Sequence, residues 1–282
     1  NANIVLAGSG ANRTVTVTLA ANGNGSATIT LTVNDGVLTA SDTFVLTVTS
    51  VNDEPTITAI ADQNIALNSA TAPLPFTIGD IETAGSSLTI TKSSSNPSLV
   101  PATNIVMNGS GIVRTATVTP ASNQVGSATI TLGVNDGSIT TNTTFVVSVT
   151  GTNGQTWRQQ YFGSTLAAGN AADDADPDND SIKNLMERAL GLNPLVPSVS
   201  GLPGLSLTRI GSQDYVTLTV NKSSAAGDLT FTVEASGNLS LWNSGPAATT
   251  LIDNTPTLLR VRDNTAIGVG SPRYMRLRVT SP

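Results

Sequence analysis

The 282-residue sequence contains no cysteine and no histidine. The first absence excludes disulfide staples and thiolate metal sites. The second excludes Ser-His-Asp and Cys-His nucleophile pairs, imidazole general bases and His-ligated zinc. Charged residues make up only 11% of the chain and aromatics only 4%. The formal net charge is −6 and no Lys/Arg cluster occurs. A nucleic-acid partner therefore finds no electrostatic footprint, and an anionic membrane surface is a poor partner for the same reason. No apolar run approaches the roughly 18 residues of a membrane span. No signal-peptide pattern opens at Asn1 either, and Asn1 is expected not to be the natural start.

Thr, Ser, Val and Gly fill the space, which suits short strands and turns. The 39% hydrophobic share is that of a folded protein rather than a disordered one. In ATITLTV, from Ala27 to Val33, the apolar residues fall on one face and Thr on the other. Thr43 to Val48 continues in the same style, and Asn34-Asp35-Gly36 between them is a turn signal, with Gly supplying positive φ. These are half-buried antiparallel strands.

The stretch NIVLAGSGANRTVTVTLAANGNGSATITLTVNDG, from Asn3, returns as NIVMNGSGIVRTATVTPASNQVGSATITLGVNDG, from Asn104. Continued to Asn52 and Asn153, the copies align without a gap, with roughly 30 of about 50 positions identical. A period near 100 residues is one sandwich per repeat. The second copy has an upstream half, from Pro55 to about Thr103, with strands predicted near Thr56–Ala61, Leu74–Ile78 and Ser87–Thr91. Pro73 and Pro75 mark an edge strand or a strand start. The first copy lacks that half, which predicts open sheet edges and an uncovered apolar face. Either the natural chain extends upstream or another chain supplies the missing strands.

The junction between the copies reads Val51-Asn52-Asp53-Glu54-Pro55-Thr56-Ile57. With the Val-Asn-Asp-Gly hairpins, it resembles the tandem cadherin-like or immunoglobulin-like (Ig-like) repeats of large bacterial surface and secreted proteins, over about residues 1–153. Such repeats mostly act as spacers. In cadherin-type arrays junction carboxylates bind calcium, so the resemblance makes Asp53, Glu54, Asp80 and Glu82 candidates. The alternative is a set of solvated loop acids that discourage edge pairing.

Residues 176–187 carry a different signal. Asp176, Asp178 and Asp180 occupy positions 1, 3 and 5 of a twelve-position calcium loop. Ile182 at position 7 offers a backbone carbonyl, Asn184 stands at position 9, and Glu187 at position 12 reaches back with both oxygens. Hard Ca²⁺ takes six to eight oxygens, and clustered Asp side chains repel one another without a cation. Ser181 departs from the pattern at position 6, where Gly normally allows the sharp turn. A helix is predicted from Ser181 to Leu190, with Ile182, Leu185, Met186, Ala189 and Leu190 on one face and Gly191 as a left-handed cap. A shorter helix over Thr156–Phe162 is expected to cover that face with Trp157, Tyr161 and Phe162. The unit resembles the single calcium-loop modules, dockerin-like or thrombospondin-type-3-like, of secreted bacterial proteins. A solvated acidic linker is the plainer alternative. A catalytic carboxylate pair is not expected, because the acids share one loop rather than facing across a cleft.

From about Gly201 the period-two pattern returns, with strands predicted at Leu205–Arg209, Tyr215–Val220, Leu229–Ala235, Leu258–Val261 and Tyr274–Val279. The C-terminal run from Arg273 resembles the last strand of C-terminal β-domains in large secreted bacterial proteins. Trp242 suits either a sugar-stacking platform or an ordinary rim position. Arg276 and Arg278 share one face of the last strand and are expected to meet acids at the solvent side.

The predicted fold class is therefore all-β: tandem Ig-like/cadherin-like β-sandwiches, a small helical calcium-loop insert and a C-terminal β-sandwich. The expected divisions are 1–52 (half repeat), 53–153 (complete repeat), 154–200 (helix–calcium loop–helix) and 201–282 (C-terminal sandwich). The expected role is an extracellular structural or adhesive protein of a bacterial surface, a β-sandwich stalk or fibre subunit stiffened by Ca²⁺. It is not expected to be an enzyme. Expected partners are further copies, through strand donation or end-to-end stacking, and a glycan or surface ligand. The alternative is a carbohydrate- or surface-binding C-terminal region of a large secreted adhesin or hydrolase.

Overall fold

The computed structural model describes residues 3–268 and 272–282. Strands β1 (Ile4–Ser9) and β2 (Asn12–Val17) form one antiparallel hairpin, and β3 (Gly25–Asn34) and β4 (Thr39–Val48) form a second. Gly36 has φ 96°, the left-handed value that the Asn-Asp-Gly turn demands. Each hairpin is a separate two-stranded sheet. Val33, Phe44 and Leu6 are exposed, and Ile29 is the one buried hydrophobic side chain described in this region.

The second copy is complete. Its strands are β5 (Thr56–Ile57), β6 (Gln63–Ala66), β7 (Leu74–Gly79), β8 (Thr89–Ser94), β9 (Ile105–Asn108), β10 (Val113–Val118), β11 (Gly126–Asn135) and β12 (Thr140–Thr150). They form two four-stranded sheets, ordered β5-β7-β10-β9 and β6-β12-β11-β8. With β5, β7, β10 and β9 read as A, B, E and D, and β8, β11 and β12 as C, F and G, this is the strand order of an Ig-like sandwich. Inward residues of both sheets, among them Phe76, Ile105, Val118, Ile130, Leu132, Val134 and Phe145, make one core. Strand β7 lies inside its sheet rather than at an edge. Pro75 is tolerated because β5 pairs only with Ile78 and Gly79, while β10 occupies the other side. Of the predicted strand Thr56–Ala61, only Thr56 and Ile57 pair.

Helix α1 (Asn153–Phe162) follows β12 after a two-residue gap. Thr152 and Gln155 close a capping box at its start, and Gly163 at φ 65° ends it. Helix α2 (Asn184–Leu190) begins later than predicted, because Ser181 has φ 73° and cannot belong to a right-handed helix. The C-terminal strands are β13 (Gly204–Ile210), β14 (Gln213–Asn221), β15 (Thr230–Ser236), β16 (Thr249–Asn254), β17 (Leu258–Asp263) and β18 (Tyr274–Thr280). They form a four-stranded sheet, β13-β14-β17-β16, and a pair, β15-β18. Strand β16 escaped the sequence reading because it lacks clean alternation and carries a register shift between Leu251 and Asp253.

The expected cover for α2 is replaced by another. Met186, Leu190 and Leu192 pack with Leu218, Val220, Val233, Leu259 and Val261 in the C-terminal core. Trp157 instead stacks near Tyr161 and Phe162 of its own helix, with ring centroids 5.2 and 5.8 Å away. Helix α2 thus shares its core with the C-terminal strands. The chain is all-β, with two α-helices placed between its sandwiches among the described residues.

Candidate metal centre

The acidic loop is built by its own backbone. Asn179 and Ser181 take left-handed φ values of 60° and 73°, folding the chain back on itself. Asp176 accepts from the N–H groups of Asp180 at 3.2 Å and Ser181 at 3.0 Å. Asp178 accepts from the N–H of Asp180, and Asp180 accepts from the N–H of Ile182 at 2.7 Å. The second oxygen of Asp180 accepts from the N–H of Ser198, which ties the loop to the segment after α2. As a result, carboxylate oxygens of Asp176, Asp178 and Asp180 lie within 4.8 Å of one another.

Helix α2 brings the next two candidates. Asn184 and Glu187 are both 0% exposed. The Asn184 side-chain NH₂ donates to the carbonyls of Asn170 and Ala172, each at 2.7 Å, which leaves its Oδ1 as the free end. That oxygen, both carboxylate oxygens of Glu187 and Oδ2 of Asp178 are buried without a hydrogen-bond partner. Burial pushes the Glu187 carboxyl up to about 7, with the charges of Asp178, Asp180 and Asp176 adding to it. Burial, then the charges of Asp180 and Asp176, also raise Asp178. Buried polar oxygens without partners are uncommon and costly. Three of them beside a carboxylate triad that contains the fourth make a donor set of hard oxygens, the set that suits Ca²⁺ or Mg²⁺ rather than a thiolate- or imidazole-seeking metal. Ile182 lies in the same loop, with its N–H donating to Asp180.

The flanking acids behave differently. Asp173 is held by Arg158, Nη2 to Oδ1 at 2.5 Å, and so serves as that guanidinium's partner. The junction acids do not gather either. Glu82 accepts from the N–H of Asp53 at 3.1 Å, while Asp80 accepts from the N–H groups of Glu82 and Thr83. Among the described residues, the cluster of three or more possible ligands is Asp176, Asp178 and Asp180.

Sequence reasoning missed Arg188, which is 2% exposed. Its Nη1 donates to both oxygens of Asp228, and it lies against Gly154, where a Cβ would come within 2.8 Å of Nη1. No local pattern pairs residues 40 positions apart. The aromatic candidates are partly covered. Arg276 lies 4.3 Å from the ring centroid of Trp242 and Arg262 lies 5.3 Å from that of Tyr215. Arg276 also meets Glu234 at 2.6 Å, the acid partner expected for it.

No protein-family model matches the chain, and no curated protein sequence does. Among solved structures, the titin Z1Z2 domains in complex with telethonin are 15% identical, with a TM-score of 0.32, over 53% of this chain and 73% of that one. Titin M4 is 14% identical, with a TM-score of 0.28, over 36% of this chain and 100% of that one. An endo-fucoidan hydrolase of glycoside hydrolase family 107 is 14% identical, with a TM-score of 0.29, over 100% of this chain and 37% of that one. At these scores the likeness carries no argument about function. The all-β class rests on the sheets themselves.

Proposed function

We propose that the chain is a structural protein of a bacterial cell exterior, in which β-sandwich units set length and a bound Ca²⁺ fixes the joint between them. The ion would be held by Asp176, Asp178, Asp180, the carbonyl of Ile182, Asn184 and Glu187. The observation that carries this reading is the pair of buried, unpartnered carboxylate oxygens of Glu187 beside three gathered Asp side chains. A cation there would supply the charge that this chain's own residues lack.

The joint follows from the neighbours of Glu187. Arg188, next in the helix, grips Asp228 on the C-terminal side. On the other side Gln159 of α1 meets Gln124 of the complete sandwich at 3.0 Å, and Thr165, just beyond the helix, donates to the carbonyl of Asn123 at 3.0 Å. Ordering the loop would therefore order α2, and α2 touches both the turn at residues 224–228 and the start of α1. The chain performs no chemistry of its own in this reading: it has no histidine or cysteine, and its clustered acids share one loop.

The test is calorimetry with Ca²⁺, followed by thermal melting with and without chelator. One ion per chain and a Tm that falls on chelation are expected. Unchanged melting in Glu187→Gln and the parent, with and without Ca²⁺, would remove the reading.

A further inference from the structure

The outward face of the four-stranded C-terminal sheet carries a cation that the fold leaves unpaired. Leu218 of β14 and Val261 of β17 face each other in the core, and the next pair along, Thr217 and Arg262, alternates to the opposite face. Thr250 of β16 stands on the other side of Arg262, and Tyr215 shares the face two residues before Thr217. Arg262 leans along that diagonal and lies 5.3 Å from the Tyr215 ring centroid. The arginine is half-buried, and its Nε is buried without a hydrogen-bond partner.

Its neighbours are otherwise satisfied. Arg209 meets Asp214, Arg260 meets Asp253, Arg273 meets Asp263 and Arg276 meets Glu234. Arg262 pairs with no acid among the described residues, and Asp253, which shares its face, is taken by Arg260. The neutral acceptors around it are engaged too. Thr217 is 0% exposed, and its hydroxyl meets that of Thr208 at 2.7 Å. Asn264 accepts from Thr250 at 2.5 Å, and Gln213 accepts from the Tyr215 hydroxyl at 3.1 Å. A guanidinium held against a ring, with its neighbours engaged, is pre-organised for an acceptor from outside the chain.

We propose that this face binds an acidic polysaccharide through the carboxylate of a uronate residue, with Arg262 meeting the carboxylate and Tyr215 holding the guanidinium in place. A planar carboxylate matches the guanidinium fork with two N–H···O bonds. Ser206, Thr208 and Thr219 share the face by register. They offer partners to the hydroxyls of a sugar and no apolar anchor to a peptide side chain. The chain's net charge of −6 gives no long-range steering toward an anion, so the attraction rests on this one contact. This inference does not depend on the calcium reading, since it uses other residues.

The test titrates the full chain, at one fixed Ca²⁺ concentration, with four probes: a short galacturonate oligomer, its methyl ester, a sulfated oligosaccharide free of carboxylates, and an oligoglutamate. The galacturonate should bind, and the ester, whose carboxyl groups carry no charge, should bind at least about tenfold more weakly. Arg262→Gln should weaken galacturonate binding by a similar factor. Arg262→Lys keeps the charge but loses the fork and should fall between, which separates a lost contact from a misfolded chain. Arg278→Ala removes an exposed arginine of β18 and should leave binding intact. Absence of galacturonate binding overturns the proposal. So does binding that Arg262→Gln leaves unchanged, or that Arg278→Ala weakens as much. Equal or tighter binding of the sulfated sugar or the oligoglutamate would assign the face to a sulfate group or an acidic peptide and overturn it as well.

Discussion

Arg188 and Asp228 form a nearly closed ion pair, with one guanidinium nitrogen 3.1 and 3.2 Å from the two carboxylate oxygens. The arginine side chain is 2% exposed and the aspartate 28%. Removing one partner of such a pair strands the other. Arg188→Ala should therefore lower unfolding stability by about 3 kcal/mol, read from denaturant midpoints. Gly154→Ala should act on the same contact from the other side, because its Cβ would sit 2.8 Å from Nη1. A cost of about 1–3 kcal/mol is expected for that overpacking.

Ser181 occupies a left-handed conformation, φ 73°, at the sharpest point of the acidic loop. A non-glycine residue in that region is strained by about 1–2 kcal/mol, partly offset by glycine's greater freedom in the unfolded chain. Ser181→Gly should raise stability by about 0.5 kcal/mol, seen as an upward shift in Tm. A fall would mean that the serine side chain makes a stabilising contact of its own.

Asp136 sits in the β11–β12 turn and is held below the usual carboxylate range by the N–H of Ile139, the side chain of Asn52 and the N–H of Ser138. Its folded-state value lies below its unfolded value. The stability it contributes is thus present above the ordinary value of 3.8 and is lost as pH falls through the folded value. Asp136→Asn should be less stable than the parent at about pH 6, with the gap narrowing as pH falls below 3.8. Urea midpoints across that range measure it. A gap independent of pH would show that the charge is not what matters.

Trp242 is covered on one face by Arg276, which is itself fixed by Glu234. Its indole N–H donates to the carbonyl of Leu239 at 3.0 Å. Trp242→Ala should cost about 1–2 kcal/mol in stability. A double-mutant cycle with Arg276→Ala should show coupling of about 0.5–1 kcal/mol. Zero coupling would mean that the guanidinium only passes over the ring.

Short-range chemistry was legible before any coordinates. Alternating Thr and apolar residues specify β3, β4, β11 and β12, since successive strand side chains point to opposite faces. Asn-Asp-Gly places both hairpin turns, because glycine reaches φ 96° and 107° without strain. The spacing of Asp176, Asp178 and Asp180 is likewise local, and the loop brings those three together. The repeat also announced that residues 3–48 lack half a sandwich. What each apolar face would meet was decided only in three dimensions. Met186 and Leu190 suit a helix partner as well as a sheet, and they pack into the C-terminal core rather than under Trp157. The Arg188–Asp228 pair, the two orphaned oxygens of Glu187 and the irregular strand β16 depend on groups distant in the chain. Periodicity and turn chemistry act over a few residues, whereas burial and charge pairing depend on which surfaces the folded chain brings together.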